Sequence, residues 1–357
     1  MLYKYRYPFS TESSTDNTKK LLENNSLYFS ALKNLNDPFE SKLNINNEKL
    51  YDFEATASLS HFFINLLKFK AGPSHILDQS IQILINSLAS ELKGNLETSF
   101  IENIYKSGLN KVGVLCLSQC YDDILMWSHY SKDHTGIVLG FDEENLFSGY
   151  SNSWSDPVCI NYHSEFKKIC SLKLTPLDVV KEVCTRKSSH WSYEKEVRFI
   201  AYKEDGLSLN ELKFYIGRKI QQELSRIDSS LLNEEPLKIY DEFFTSLSHA
   251  SSIKEVINES EYSYRLLMIH IWSEILKLSI GNDKLNFGGT TQKFKKESLR
   301  EVIFGCCVSN KDIINYAKFI DDLEYKNIKL YQMKVNEKSF KLDRSEINVS
   351  GTHVFEL

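Results

Sequence analysis

The chain has no GxGxxG and no GxxxxGK[ST], so neither a Rossmann nor a P-loop nucleotide site is indicated. It also has no HExxH. His129, His134, His163 and His190 are scattered, without the i,i+4 spacing that sets two ligands on one helix face, and no metal is predicted. There is no GxSxG elbow to present a serine nucleophile. Cysteine is odd in number, seven in all, with one vicinal pair and no CxxC…CxxC zinc spacing. With no secretory start after Met1-Leu2-Tyr3-Lys4, these residues are expected to be reduced thiols in a cytoplasmic protein. No apolar run reaches transmembrane length, so no membrane contact is expected. A net charge of −5 supplies no general attraction to nucleic acid or anionic lipid. What remains is an ordinary globular composition over 357 residues, enough for one large domain or two smaller ones.

Patterning predicts an α+β fold, with antiparallel strands and helices inserted between them rather than regular βαβ alternation. Leu2–Arg6 alternates as a first strand, Asp16 caps a helix through Leu22, and Leu27–Ser30 reads as a second strand. Asn36-Asp37-Pro38 is a turn. From about 49 to 108 the period becomes helical. Strands return at Val112–Ser118 and Gly136–Phe141, with a short helix between them started by Asp122. Further strands are expected at Val158–Tyr162 and Val197–Ile200, and a helix at Pro176–Cys184. Residues 1–205 thus form the N-terminal part of the core, 206–292 a helical insertion or subdomain, and 293–357 the completion of the core. That last part holds a helix near Lys311–Ile320 and a final strand at Ile328–Lys334. Amphipathic helices bury their faces equally well within or between chains, so oligomeric state is left open.

The richest stretch is Trp191-Ser192-Tyr193-Glu194-Lys195-Glu196-Val197-Arg198-Phe199-Ile200. Read as one strand, it puts Glu194, Glu196 and Arg198 on one face, roughly 6.5–7 Å apart in succession. Tyr193, Val197 and Phe199 then face a core, with Lys195 as the polar exception. Two carboxylates at that spacing can act on one substrate, with an arginine moderating their repulsion. The plainer alternative is a solvated strand, or a helix in which Glu194 and Arg198 pair at i,i+4. Cys116 with His129 or His134 is a thiol-catalysis alternative, although a cysteine between Leu115 and Leu117 more often serves as a small core residue. Trp127, His129, Tyr130, Trp191 and Tyr193 can stack on an aromatic ligand, or simply fill a core. Glu-x-Glu suits attack on the N-glycosidic bond of NAD. One carboxylate steadies the oxocarbenium ion and the other orients the nucleophile, while the cationic nicotinamide leaves neutral.

The order of several motifs resembles the bacterial family called domain of unknown function 2971. These are Leu2–Arg6, Leu27–Ser30, Asn36–Glu40, Met126–Tyr130, His134–Asp142, Trp191–Arg198 and Val302–Gly305. Its members are associated with toxin and phage-defence genes. More distantly, the layout is similar to that of DNA- and RNA-modifying ADP-ribosyltransferases, with an antiparallel split-sheet core carrying two helical insertions. That resemblance implies an NAD-using transferase or NAD glycohydrolase, with a nucleic acid or protein acceptor. Glu196 is then the catalytic glutamate, Glu194 positions the acceptor, and Arg198 holds both carboxylates. Lys4, Tyr5 and Arg6 lie on the ligand-binding strand, with Lys4 and Arg6 on the pyrophosphate, where many such enzymes place a histidine. Tyr28, Trp127 and Tyr130 line the nicotinamide pocket, His129 is a polar contact, and Asn36-Asp37-Pro38 shapes the rim. On a solvent-facing strand, Glu196→Gln is expected to abolish activity and leave folding intact. The competing reading is a non-catalytic sensor or partner-binding protein of a defence system.

Overall fold

The computed structural model describes residues 1–9, 16–40, 112–147, 156–166, 176–201, 229–249 and 288–357, with isolated positions between them. The helical stretch expected at 49–108 lies outside the described residues, as does most of 206–292. In chain order the elements are β1 (Leu2–Arg6), α1 (Asn17–Glu23), β2 (Ser26–Ala31), β3 (Gly113–Ser118), α2 (Ile124–Tyr130) and β4 (Ile137–Phe141). Next come β5 (Val158–Cys159), β6 (Asn161–His163), α3 (Pro176–Thr185), β7 (Arg186–Ser188), β8 (Glu196–Ala201) and α4 (Pro236–His249). The chain closes with β9 (Thr290–Lys293), β10 (Leu299–Phe304), α5 (Asn310–Asp322), β11 (Lys329–Val335), β12 (Leu342–Ser350) and β13 (His353–Glu356). The last two strands, β7 and β9 are not expected from the sequence pattern, and β9 begins inside the stretch 206–292 expected to be helical.

These elements build an open, mostly antiparallel sheet of the expected α+β class, running β13-β12-β11-β10-β4-β1-β3-β2-β9. Among the described residues its one parallel pair is β10 and β11, joined through α5, and β6 and β7 form a separate two-stranded parallel sheet. Period-2 alternation puts a core on each face. Leu2, Leu139, Phe141, Val302 and Phe304 pack on one side with Ile313, Tyr316 and Ile320 of α5. Tyr3, Tyr5, Val138 and Ile303 pack on the other with Met126 and Trp127 of α2. Asp16 caps α1, its Oδ1 accepting from the Thr18 and Lys19 amides at 2.7 and 3.1 Å. Asp123, rather than Asp122, caps α2 through the Met126 amide at 3.0 Å.

The feature that positions the site is at β3. Strand β8 pairs along the whole of β3, from Gly113↔Ala201 to Ser118↔Glu196. The other edge of β3 must therefore serve two strands. At one end β1 joins only at Tyr3↔Ser118, and at the other β2 joins only at Ser30↔Val114 and Ala31↔Gly113. Between them the sheet is split. In the split, the Lys4 ammonium donates to the Cys116 carbonyl at 2.7 Å and satisfies a backbone acceptor where β1 and β3 have parted.

Gly136 fixes where β1 ends, because a Cβ there would overlap the Arg6 carbonyl and the Ser131 side chain. Gly136→Ala is expected to destabilise the fold by about 1–3 kcal/mol through overpacking, read as a lowered urea midpoint. An unchanged midpoint would show that the β1 backbone can shift freely.

Candidate active site

A cavity of about 930 Å³ opens at the split. One end is built by β7, β8 and the turn before β8; the middle by β1 and β3; the far end by α1, β2 and β9. That volume lies at the upper end for small-molecule sites, room enough for a dinucleotide.

The glutamate segment is not one strand. Ser188 caps a 3-10 helix over Ser189–Glu194, accepting from the His190 amide, and Lys195 adopts a left-handed conformation with φ of 42°. The strand begins only at Glu196. Glu194 and Glu196 therefore come from different elements, and Lys195 faces solvent rather than a core. They still converge, because the reversal at Lys195 turns both toward Lys187 of β7. The Lys187 ammonium donates to Glu194 Oε2 at 2.6 Å and to Glu196 Oε2 at 3.0 Å, and lies 3.7 Å from Glu40 Oε1.

Arg198 does share a strand face with Glu196, donating from Nε to Oε1 at 2.7 Å and from Nη2 to Oε2 at 2.9 Å. It does not hold Glu194. Its remaining donors go to the Glu40 carboxylate and, at 2.9 Å, to the Cys184 carbonyl. The bridging cation is Lys187. Glu194 is fixed from its other side by the Tyr130 hydroxyl, which donates to Oε1 at 2.6 Å and itself accepts from the Asn36 amide. The Tyr162 hydroxyl accepts from the Glu196 amide at 2.8 Å.

Three carboxylates thus meet two cations, all buried, so the cluster is one positive charge short. The environments of the two cavity glutamates push them apart. Burial pushes the Glu194 carboxyl up, and Lys187 and Tyr130 only partly reverse this. Burial works on Glu196 too, but Arg198 and Lys187 together outweigh it and hold the carboxyl at about 2. Glu40 is pushed up by burial despite Arg198 and Lys187. Tyr130 is raised by burial and by Glu194, so the phenol keeps its proton and remains a donor. Two carboxylates driven in opposite directions give one group that stays ionised and one that exchanges a proton nearer neutrality.

The other expected residues divide between the cavity, the core and the surface. Lys4, Arg6, Tyr28 and Tyr130 line the cavity, as does Asn36 from the rim turn. Trp127 does not: it is fully buried, edge-on to Tyr5 at 5.4 Å, with its indole N–H on the Tyr121 carbonyl at 2.6 Å. Tyr5 contributes to the wall, but its hydroxyl is committed to the Cys120 carbonyl at 3.2 Å. His129 is exposed outside the cavity, its Nδ1 3.1 Å from the Tyr193 hydroxyl. Cys116 lies in the wall with its thiol pushed up by burial and by Glu196, the opposite of an activated nucleophile. Pattern reading missed Lys187 and Glu40. Lys187 sits in a three-residue strand too short for any period, so the only sequence signal is a basic pair, Arg186-Lys187, just before the acidic motif.

A family described as "Protein of unknown function (DUF2971)" matches residues 126–199. No curated protein and no solved structure matches the chain. The matched stretch runs from α2 into β8 and carries Tyr130, Lys187, Glu194, Glu196 and Arg198. In the part that builds the carboxylate end of the cavity, the chain is similar to the DUF2971 family.

Proposed function

We propose that this cavity cleaves the N-glycosidic bond of NAD and passes ADP-ribose to an acceptor, in a toxin or anti-phage role. The observation that carries the reading is the pair Glu194 and Glu196, held on one ammonium at the head of a dinucleotide-sized cavity. The divided sheet is compatible with the split core of ADP-ribosyltransferases, and this supports the reading by analogy alone.

In this scheme the bond between ribose C1′ and the nicotinamide nitrogen breaks, and its electron pair neutralises the ring. Ionised Glu196 faces the positive charge that develops on the ribose, so its attraction grows toward the transition state. Glu194, with its raised affinity for protons, takes the proton of the attacking hydroxyl, amine or water as the new bond to C1′ forms. Lys187 holds both carboxylates in register, and Arg198 with Glu40 fixes Glu196 from behind. Lys4 and Arg6 meet the pyrophosphate across the split.

A second reading also has an observation in its favour. Glu196 already accepts three charge-assisted hydrogen bonds, two from Arg198 and one from Lys187, as a purely structural carboxylate would. The cavity would then bind without reacting, as a sensor. Nicotinamide release from NAD separates the two, measured alone and with DNA, RNA or cell lysate. Glu194→Gln is expected to slow release by about 10²–10⁴-fold with KM little changed. Dependence on one added polymer would name the acceptor class, and release without any would make the protein a glycohydrolase. Absence of release from folded protein under every condition would leave the sensor.

A further inference from the structure

The cavity carries more positive charge than a pyrophosphate needs. Beyond Lys187 and Arg198, which the carboxylates neutralise, its wall holds Lys4, Arg6, Lys20 and Lys293. Among the described residues, the wall has no carboxylate other than Glu194 and Glu196, and none of these four cations forms an ion pair. Chain composition does not explain this, since the protein as a whole is acidic at −5.

The four cations follow one another away from the carboxylates. Lys4 reaches Cys116, which is in register with Arg198. Arg6 follows on the same face of β1, and its Nε donates to Thr18 Oγ1 of α1 at 3.3 Å. Lys20 lies two residues further along α1, and the Lys293 ammonium sits on the Asn24 carbonyl at the end of that helix, at 2.5 Å. A helix C-terminus attracts cations by itself, which accounts for Lys293 on Asn24. It does not account for four cations on one cavity wall. Tyr28 stands on β2 with its ring about half exposed, paired with Thr291, and shares a sheet face with Lys293, which pairs with Ser26.

We propose that Lys20 and Lys293 form a second phosphate subsite, so that the preferred substrate is a nicotinamide dinucleotide with a phosphate monoester on its second ribose. The proposal rests on the NAD reading above and names the substrate class of the same site. With the nicotinamide ribose at Glu194 and Glu196, and the pyrophosphate on Lys4 and Arg6, the second ribose falls between Lys20 and Lys293. Its phosphate then meets two ammonium groups, and the adenine stacks on Tyr28.

Calorimetric titration of the wild-type protein with ADP-ribose and with 2′-phospho-ADP-ribose, which lack the scissile bond, tests this directly. The phosphorylated ligand is expected to bind about tenfold or more tightly, the scale of one charge-assisted contact. NADP should exceed NAD in kcat/KM by a similar factor. The double variant Lys20→Gln/Lys293→Gln should lose the preference while keeping ADP-ribose affinity, and Lys20→Arg/Lys293→Arg should retain it. Equal binding of the two ligands would overturn the subsite and leave the NAD reading standing. Binding of neither ligand, with no nicotinamide release, would overturn both. A short single-stranded oligonucleotide that binds more tightly than either, and needs Lys20 and Lys293, would assign this wall to a nucleic acid strand and overturn the proposal.

Discussion

Glu196→Gln is expected to cost roughly 3 kcal/mol of stability as well as abolishing nicotinamide release. The side chain does not face solvent; it is 5 % exposed and lies between Arg198 and Lys187. The expectation of a harmless isosteric change is therefore corrected. Charge balance alone does not penalise the amide, since the cluster holds three carboxylates and two cations. The penalty is geometric, because the amide NH₂ must face guanidinium or ammonium donors and can accept nothing from them. Folding lowers the Glu196 carboxyl from its ordinary 4.5 to about 2. A depressed carboxylate contributes its full stabilisation above the unfolded value and loses it as pH falls through the folded one. The gap between wild type and variant in urea melts should be complete above about pH 4.5 and close as pH falls to about 2. A constant gap over that window would place the cost in packing rather than ionisation.

Lys187→Met should cost about 3–5 kcal/mol, because removing the bridging ammonium leaves buried carboxylates uncompensated. Only Arg198 then opposes Glu40, Glu194 and Glu196, and it does not reach Glu194. Glu194 and Glu40 are already raised by burial, and loss of the ammonium raises them further. A raised carboxyl stabilises the fold below its unfolded value and loses that contribution as pH rises through the folded one. The Lys187→Met deficit should accordingly be larger at pH 8 than at pH 5. In the pH–rate profile, the rising limb that reports Glu194 as a base should be displaced to higher pH than in wild type, and Lys187→Arg should restore part of both effects. An equal deficit at the two pH values, with an unmoved limb, would show that Lys187 serves packing alone.

Local pattern in the sequence made β1–β4, β8, β10 and β11 legible, together with the Glu196 and Arg198 pair, but not β7, β9, β12 or β13. Alternation placed Lys4 and Arg6 together on β1, and put Leu2, Leu139 and Phe141 on one face against Tyr3, Tyr5 and Val138 on the other. Asp16 announced α1 because a capping carboxylate acts within its own first turn. Glu196 and Arg198, two apart on β8, were legible for the same local reason. Tertiary structure decided the rest. It moved Glu194 onto a 3-10 turn, sent Trp127 to the core, and brought Lys187 of β7 and Glu40 of the rim turn onto the glutamates. Residues 40, 187 and 198 come from the rim turn, from β7, which pairs only with β6 outside the main sheet, and from β8, and they meet in space alone. Period and propensity act over a few residues, whereas a charge cluster is fixed by where separate elements meet, and no local pattern records that.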